Sequence, residues 1–253
     1  QLALIQPESI PGLTSAQIAA MPTGSLATLS NDQVSQLTSS QLTSLKTSLL
    51  QELKPTQLQA MKSSQISGLQ QTQISSLTTL QISSLTQDQV AALTNPQVIS
   101  LTSIQIAALT TAQYQAMTTA QISSLTTSQL ANIQVDDMTA LAANETQMQS
   151  LSTNQVAALS TLQISTLLAL SSLGFTGKQV ASISTTAINA ISDVQLNKLS
   201  TSQVNSFTTG QIAALTSSQL NLLSADNFKA ITTANIASLS TNYIRALNTT
   251  QIS

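Results

Sequence analysis

Leu77-Thr78-Thr79-Leu80-Gln81-Ile82-Ser83-Ser84-Leu85-Thr86 decides the fold. Thr78 stands as a helix N-cap, with Gln81 at the third helical position. The hydroxyl accepts from the amide of that position while the glutamine side chain reaches back to the cap amide, which is a capping box. Leu77 and Ile82, flanking the cap, form a hydrophobic staple. The pair recurs at Thr86 and Gln89, Thr94 and Gln97, and Thr110 and Gln113. The unit is a helix of about six residues, roughly 9 Å long, followed by an abrupt turn into the next cap.

Outward from this stretch, Gln recurs every eight residues from Gln57 to Gln129. Eighteen octads start between 1 and 137, and fourteen more between 147 and 251, so the frame slips by two residues within 138–146. With the Gln site as a and the following positions as b to h, position b is apolar in 31 of 32 octads, Ser172 being the exception. Position e is apolar in all of its 31 occurrences, and f is Ser or Thr in 21 of 31. Position d is small. The whole of 1–253 reads as one array, with 1–30 less regular.

A continuous helix fails, because eight residues turn about 800° and the apolar pair drifts by roughly 80° per octad. A β-solenoid is the alternative, given the Thr, Ile and Val content, but apolar spacings of three and five do not fit a period of two. The charges favour short helices. Glu8, Asp32, Asp88, Asp136, Asp137, Glu145, Asp193 and Asp226 fall in first turns, while Lys198, Lys229 and Arg245 fall late, as the helix dipole favours. Pro7, Pro55 and Pro96 land at first or second helical positions, where a missing amide costs little. After the inserted Ala142 and Ala143, Asn144 takes the cap. The expected fold is an all-α solenoid or superhelix of very short helices, with b and e inward and Ser, Thr, Gln and Asn outside. Such helices are stable only when stacked on neighbours.

Composition narrows the function. Charged residues are 6% of the chain and net charge is −2, with no His, Cys or Trp. That removes imidazole and thiolate chemistry and a disulfide scaffold. Seven scattered basic residues argue against nucleic acid. The 42% hydrophobic content suffices for a core, yet no run is long enough for a membrane span. Even Leu167 to Phe175 is broken by Ser171, Ser172 and Gly174. The chain opens on Gln1 without a signal-peptide pattern, as a processed or partial chain would.

Candidate sites are few. Asp136, Asp137 and Glu145, with Asn132 and Asn144, offer oxygens to a calcium ion, but at no calcium-loop spacing. Lys46, Lys54 and Lys62 occupy three successive f positions, which read as a solvated charge ladder along one edge with Glu52, or as an anion or glycan contact. Thr78, Thr86, Thr94, Thr102, Thr110, Thr118 and Thr126 form an unbroken series that suggests an ice- or glycan-facing column, although capping engages those hydroxyls. Tyr114, Tyr243, Phe175, Phe207 and Phe228 read as core or rim packing. Asn144-Glu145-Thr146 and Asn248-Thr249-Thr250 match the N-glycosylation pattern. No serine is paired with a base and no glycine-rich phosphate loop occurs, so neither catalysis nor a cofactor is expected.

Leu93-Thr94-Asn95-Pro96-Gln97-Val98 looks like the opening of a TAL-effector repeat, but those repeats are about four times longer and carry base-reading residues not found here. The run from Leu109-Thr110-Thr111-Ala112-Gln113 through Gln121-Ile122-Ser123-Ser124-Leu125 is similar to low-complexity Ser/Thr/Gln-rich arrays of large bacterial secreted and cell-surface, adhesin-like proteins. The resemblance implies export and a structural or adhesive role. The expected function is a structural subunit of an extracellular filament or matrix that self-associates. The alternatives are a stalk within a giant adhesin and a glycan- or ice-binding surface.

Overall fold

The computed structural model describes residues 2–170, 174–248 and 251. Ser171, Ser172, Thr249, Thr250 and Ser253 lie outside them, so the b-position exception and the second glycosylation pattern do too. Among the described residues the regular structure is helical and no strand occurs, which sets the β-solenoid aside. Most helices span four to six residues, as in Ser39–Ser44, Thr79–Ser84 and Gln87–Ala91. Between the last two, Leu85 (φ −58°, ψ 142°) and Thr86 (φ −70°, ψ 160°) are both extended. These two residues turn the chain out of one helix and into the cap of the next.

Residues 1–132 and 133–253 form two compact units. Within each, helices pack on helices three octads away. Thr79–Ser84, for example, lies against Pro55–Ala60 and Ser103–Ala108. Glutamine side chains also bond to carbonyls 28 and 31 residues earlier, in the fourth octad back. Each octad therefore sits over the junction of the third and fourth octads before it. One coil holds about 28 residues, or 28/8 = 3.5 octads.

The b and e side chains form the core, among them Ile74, Leu77, Ile82 and Leu85. The f, g and h positions lie mostly outside. Position a departs from the sequence reading: its glutamines from Gln33 to Gln219 are not on the outside but buried, with Gln195 half-buried. The small residues at d serve close approach. Ser84 Oγ donates to the Gln81 carbonyl (2.7 Å), and Ser44 Oγ reaches the Ser15 carbonyl of the preceding coil (3.2 Å).

Two helices overrun the octad, Val135–Ala142 and Thr161–Leu170. Each runs through an aliphatic residue, Ala142 or Leu168, at the f position. No other f position carries Ala or Leu, and with these residues of high helix propensity in place the old helix continues. The two-residue insertion is absorbed in the longer first helix: Gln163 Nε2 reaches the Ile133 carbonyl at a separation of 30, two more than the usual 28. The N-terminal 30 residues are less regular, with 3-10 helices at Leu2–Leu4, Pro7–Gly12 and Leu26–Thr28. Gly24 there has φ 89°, which an L side chain resists.

Candidate functional site

The repeated chemical feature is a glutamine clamp. The Thr78 amide donates to Gln81 Oε1 (2.9 Å) and the Gln81 amide donates to Thr78 Oγ1 (3.2 Å). The corresponding pairs are 2.9 and 3.2 Å at Thr86 and Gln89, 2.8 and 3.4 Å at Thr94 and Gln97, and 2.8 and 3.3 Å at Thr110 and Gln113. With Oε1 held on its own cap, Nε2 is aimed at the coil before. Gln81 Nε2 donates to the carbonyls of Leu50 (2.9 Å) and Leu53 (2.9 Å), which are b and e positions.

Helix ends leave their last carbonyls without intrahelical partners, and a buried carbonyl without a donor costs about 1–3 kcal/mol. The b carbonyl already accepts from the e amide, Leu53 N to Leu50 O at 3.1 Å, so the clamp adds a second donor there and supplies a donor to the e carbonyl. Glutamate satisfies a capping box equally well but has no amide hydrogens to give. The requirement for Gln at a thus comes from the neighbouring coil, not from the helix it starts. The sequence carried the signal in that no a position holds Glu, although capping accepts either residue.

The exceptions follow side-chain length. Asn227 and Asn235 each donate to one carbonyl only, of Leu199 (3.0 Å) and Phe207 (2.7 Å), and neither reaches back to its cap amide. Lys46, Lys54 and Lys62 sit at N-caps without a capping oxygen. At Lys54 and Lys62 the other half survives, their amides donating to Gln57 Oε1 (2.7 Å) and Gln65 Oε1 (2.6 Å).

With 3.5 octads per coil, consecutive f positions wind around the axis. Lys46, Lys54 and Lys62 therefore encircle one coil and do not line one edge. Nor is Glu52 solvated, since both carboxylate oxygens are buried without a hydrogen-bond partner. The series Thr78 to Thr126 likewise winds around its unit instead of forming a flat column, with its hydroxyls engaged at helix starts.

Asp136 and Asp137 open Val135–Ala142, and Glu145 opens the next helix, Glu145–Ser150, where Oε1 accepts from Gln149 Nε2 (2.9 Å). Among the described residues no group of three Asp or Glu side chains is placed to hold a metal ion. Asn144 of the first glycosylation pattern is itself a cap, its Oδ1 accepting from the amides of Thr146 (3.1 Å) and Gln147 (3.3 Å). Tyr114, Phe175, Phe207 and Phe228 are core residues. Tyr114 Oη donates to the Ile106 carbonyl (2.6 Å), and Tyr243 Oη to that of Ala213 (3.4 Å).

The family model of the ALTTAQ repeat matches residues 103–135. The six letters stand in this chain as Ala108-Leu109-Thr110-Thr111-Ala112-Gln113, the junction that holds staple, cap and clamp. The match covers 33 residues, slightly more than four octads. No curated protein matches the chain. The chain is thus a tandem-repeat protein with a solenoid of short helices. Among its described residues no helix is long and apolar enough to cross a membrane.

Proposed function

We propose that this chain is a non-enzymatic structural protein, a subunit or segment of an extracellular filament or matrix built by packing solenoids end to end or side by side. The observation that carries this reading is the clamp. Buried glutamine after buried glutamine directs its amide at the coil before it, in the same geometry from octad to octad. A fold of this kind has no intrinsic length, because each coil presents to the next what the last coil presented to it. The outer positions are mostly neutral hydroxyls and amides, with scattered aliphatics such as Leu80 and Ile104, which suits a passive surface more than a recognition site. Placement outside the cell, and on a bacterial surface, rests on the resemblance of the Leu109 to Leu125 run to secreted adhesin-like arrays.

Negative-stain electron microscopy of the purified chain tests the reading. Long fibres of constant width are the expected result, and discrete particles at high concentration overturn it. Antibody labelling of intact cells checks localisation, with labelling only after permeabilisation as the contrary result.

A further inference from the structure

Two Asn-x-Thr triplets occur in the chain, at Asn144 and at Asn248, and the side-chain nitrogens of the two asparagines differ in their use. Asn248 Nδ2 donates to the Asn221 carbonyl of the preceding coil (3.1 Å), while its Oδ1 accepts from the Gln251 amide (3.1 Å). Both ends of that side chain are engaged. Asn144 engages one end only. Its Oδ1 accepts from the amides of Thr146 (3.1 Å) and Gln147 (3.3 Å), and its Nδ2 donates to no acceptor among the described residues. Other asparagines direct the same nitrogen at a carbonyl: Asn132 at Ser128 (2.8 Å), Asn197 at Leu222 (2.6 Å) and Asn205 at Ala230 (3.0 Å).

The frame slip opens the surface around Asn144. With two residues inserted, Ala143, Asn144, Glu145 and Thr146 are exposed in a row, where a regular junction such as Thr118, Thr119 and Ala120 exposes three. The Glu145 carboxylate is engaged with Gln149 Nε2 (2.9 Å), one turn further along the helix. Asn-x-Thr with x other than proline is the acceptor pattern for N-linked sugars, a bulky hydrophilic modification that belongs on an exposed surface. The point of attachment decides whether the fold tolerates it. The sugar bonds to the nitrogen, so the amide oxygen remains, and a modified Asn144 keeps both of its cap bonds. At Asn248 the nitrogen faces the Asn221 carbonyl, and a sugar there has to sit against the preceding coil.

We propose that Asn144 is a glycosylation site of the exported chain, taking an oligosaccharide from a donor activated as a lipid-linked diphosphate. The bond from Nδ2 to the anomeric carbon forms as the bond from that carbon to the diphosphate oxygen breaks. The diphosphate leaves with the electron pair, and the transferring enzyme takes one amide proton. Nothing is oxidised or reduced. The proposal rests on the extracellular reading, because such donors are used on exported chains.

The test is the chain fused to a cleavable secretory signal and produced in cells that carry the transferase. The intact mass of the secreted protein is expected to exceed that of the bare chain by one oligosaccharide. Enzymatic release in heavy-oxygen water is expected to convert Asn144 alone to labelled Asp. Thr146→Ala breaks the triplet and keeps the cap, and Asn144→Asp keeps a capping oxygen without the nitrogen. Both variants are expected to have the bare mass, and to share one helical circular dichroism spectrum with the glycosylated wild type. A bare wild-type mass, beside a control chain modified in the same cells, overturns the proposal. Modification at Asn248 in place of Asn144 overturns it too, as does loss of the helical signal in the glycosylated chain. Because the export signal is supplied, these outcomes are independent of the antibody labelling that tests localisation.

Discussion

At the scale of the residue, Gln at position a holds three relationships with one side chain: acceptor for its cap, donor to a b carbonyl, and donor to an e carbonyl. Gln97 is representative, donating to Ile66 (3.0 Å) and Leu69 (2.7 Å) in the coil before. Replacing it by Glu keeps the cap bond but removes both donors and sets a buried carboxylate against carbonyl oxygens. Q97E is expected to destabilise the array by about 3 kcal/mol in urea titrations. Its defect should shrink at low pH, where the protonated acid regains a donor. The converse is Asn235→Gln, which supplies the length to reach the Val204 carbonyl as well as that of Phe207. It is expected to raise stability by roughly 1 kcal/mol. Glu52 occupies a d position usually held by Ser, Ala or Gly, with both oxygens buried and unpartnered. Glu52→Ser is expected to stabilise by about 1–2 kcal/mol, read as a rise in urea midpoint at unchanged slope.

At the scale of the element, a six-residue helix is far below the length at which nucleation is repaid by propagation. Its two ends decide its existence. Ser, Thr and Asn caps start most helices, Lys and Gln the rest of the regular ones, and the e residue stops the helix by turning extended. Where the cap is aliphatic, at Ala142 and Leu168, the helix continues. Deletion of Ala142 and Ala143 joins Leu141 to Asn144 and restores a regular octad, Asp137-Met138-Thr139-Ala140-Leu141-Asn144-Glu145-Thr146, ahead of Gln147. This variant is expected to fold with an unchanged far-ultraviolet spectrum and a melting temperature within about 4 °C of the parent. Asn144→Ala, which removes the cap and keeps the insertion, is expected to cost about 1 kcal/mol. The short helices, their caps and the frame slip were legible because capping is local, read within four residues of sequence.

At the scale of the whole molecule, register matters more than length. Removing the octad Gln89–Pro96 leaves the glutamines from Gln97 to Gln129 with b and e carbonyls at 31 and 28 residues before them. Removing only Gln89–Leu93 puts the wrong residues at those distances for the next coil. The first deletion is expected to unfold cooperatively with a modestly lowered melting temperature. The second should lose the cooperative transition, monitored by circular dichroism at 222 nm. If both behave alike, the clamp does not set the register.

The sequence by itself determined the octad, the helix within it, the caps and the inward b and e positions, since all depend on neighbours within eight residues. Only the tertiary structure decided that 3.5 octads make a coil, that Lys46, Lys54 and Lys62 surround the axis, and that the glutamines are buried clamps. Those features depend on how far each octad turns the chain before it meets an earlier one, a sum of small rotations at the extended e and f residues that periodicity does not encode. The choice of Gln over Glu was visible from the start, and its reason lay 28 to 31 residues away.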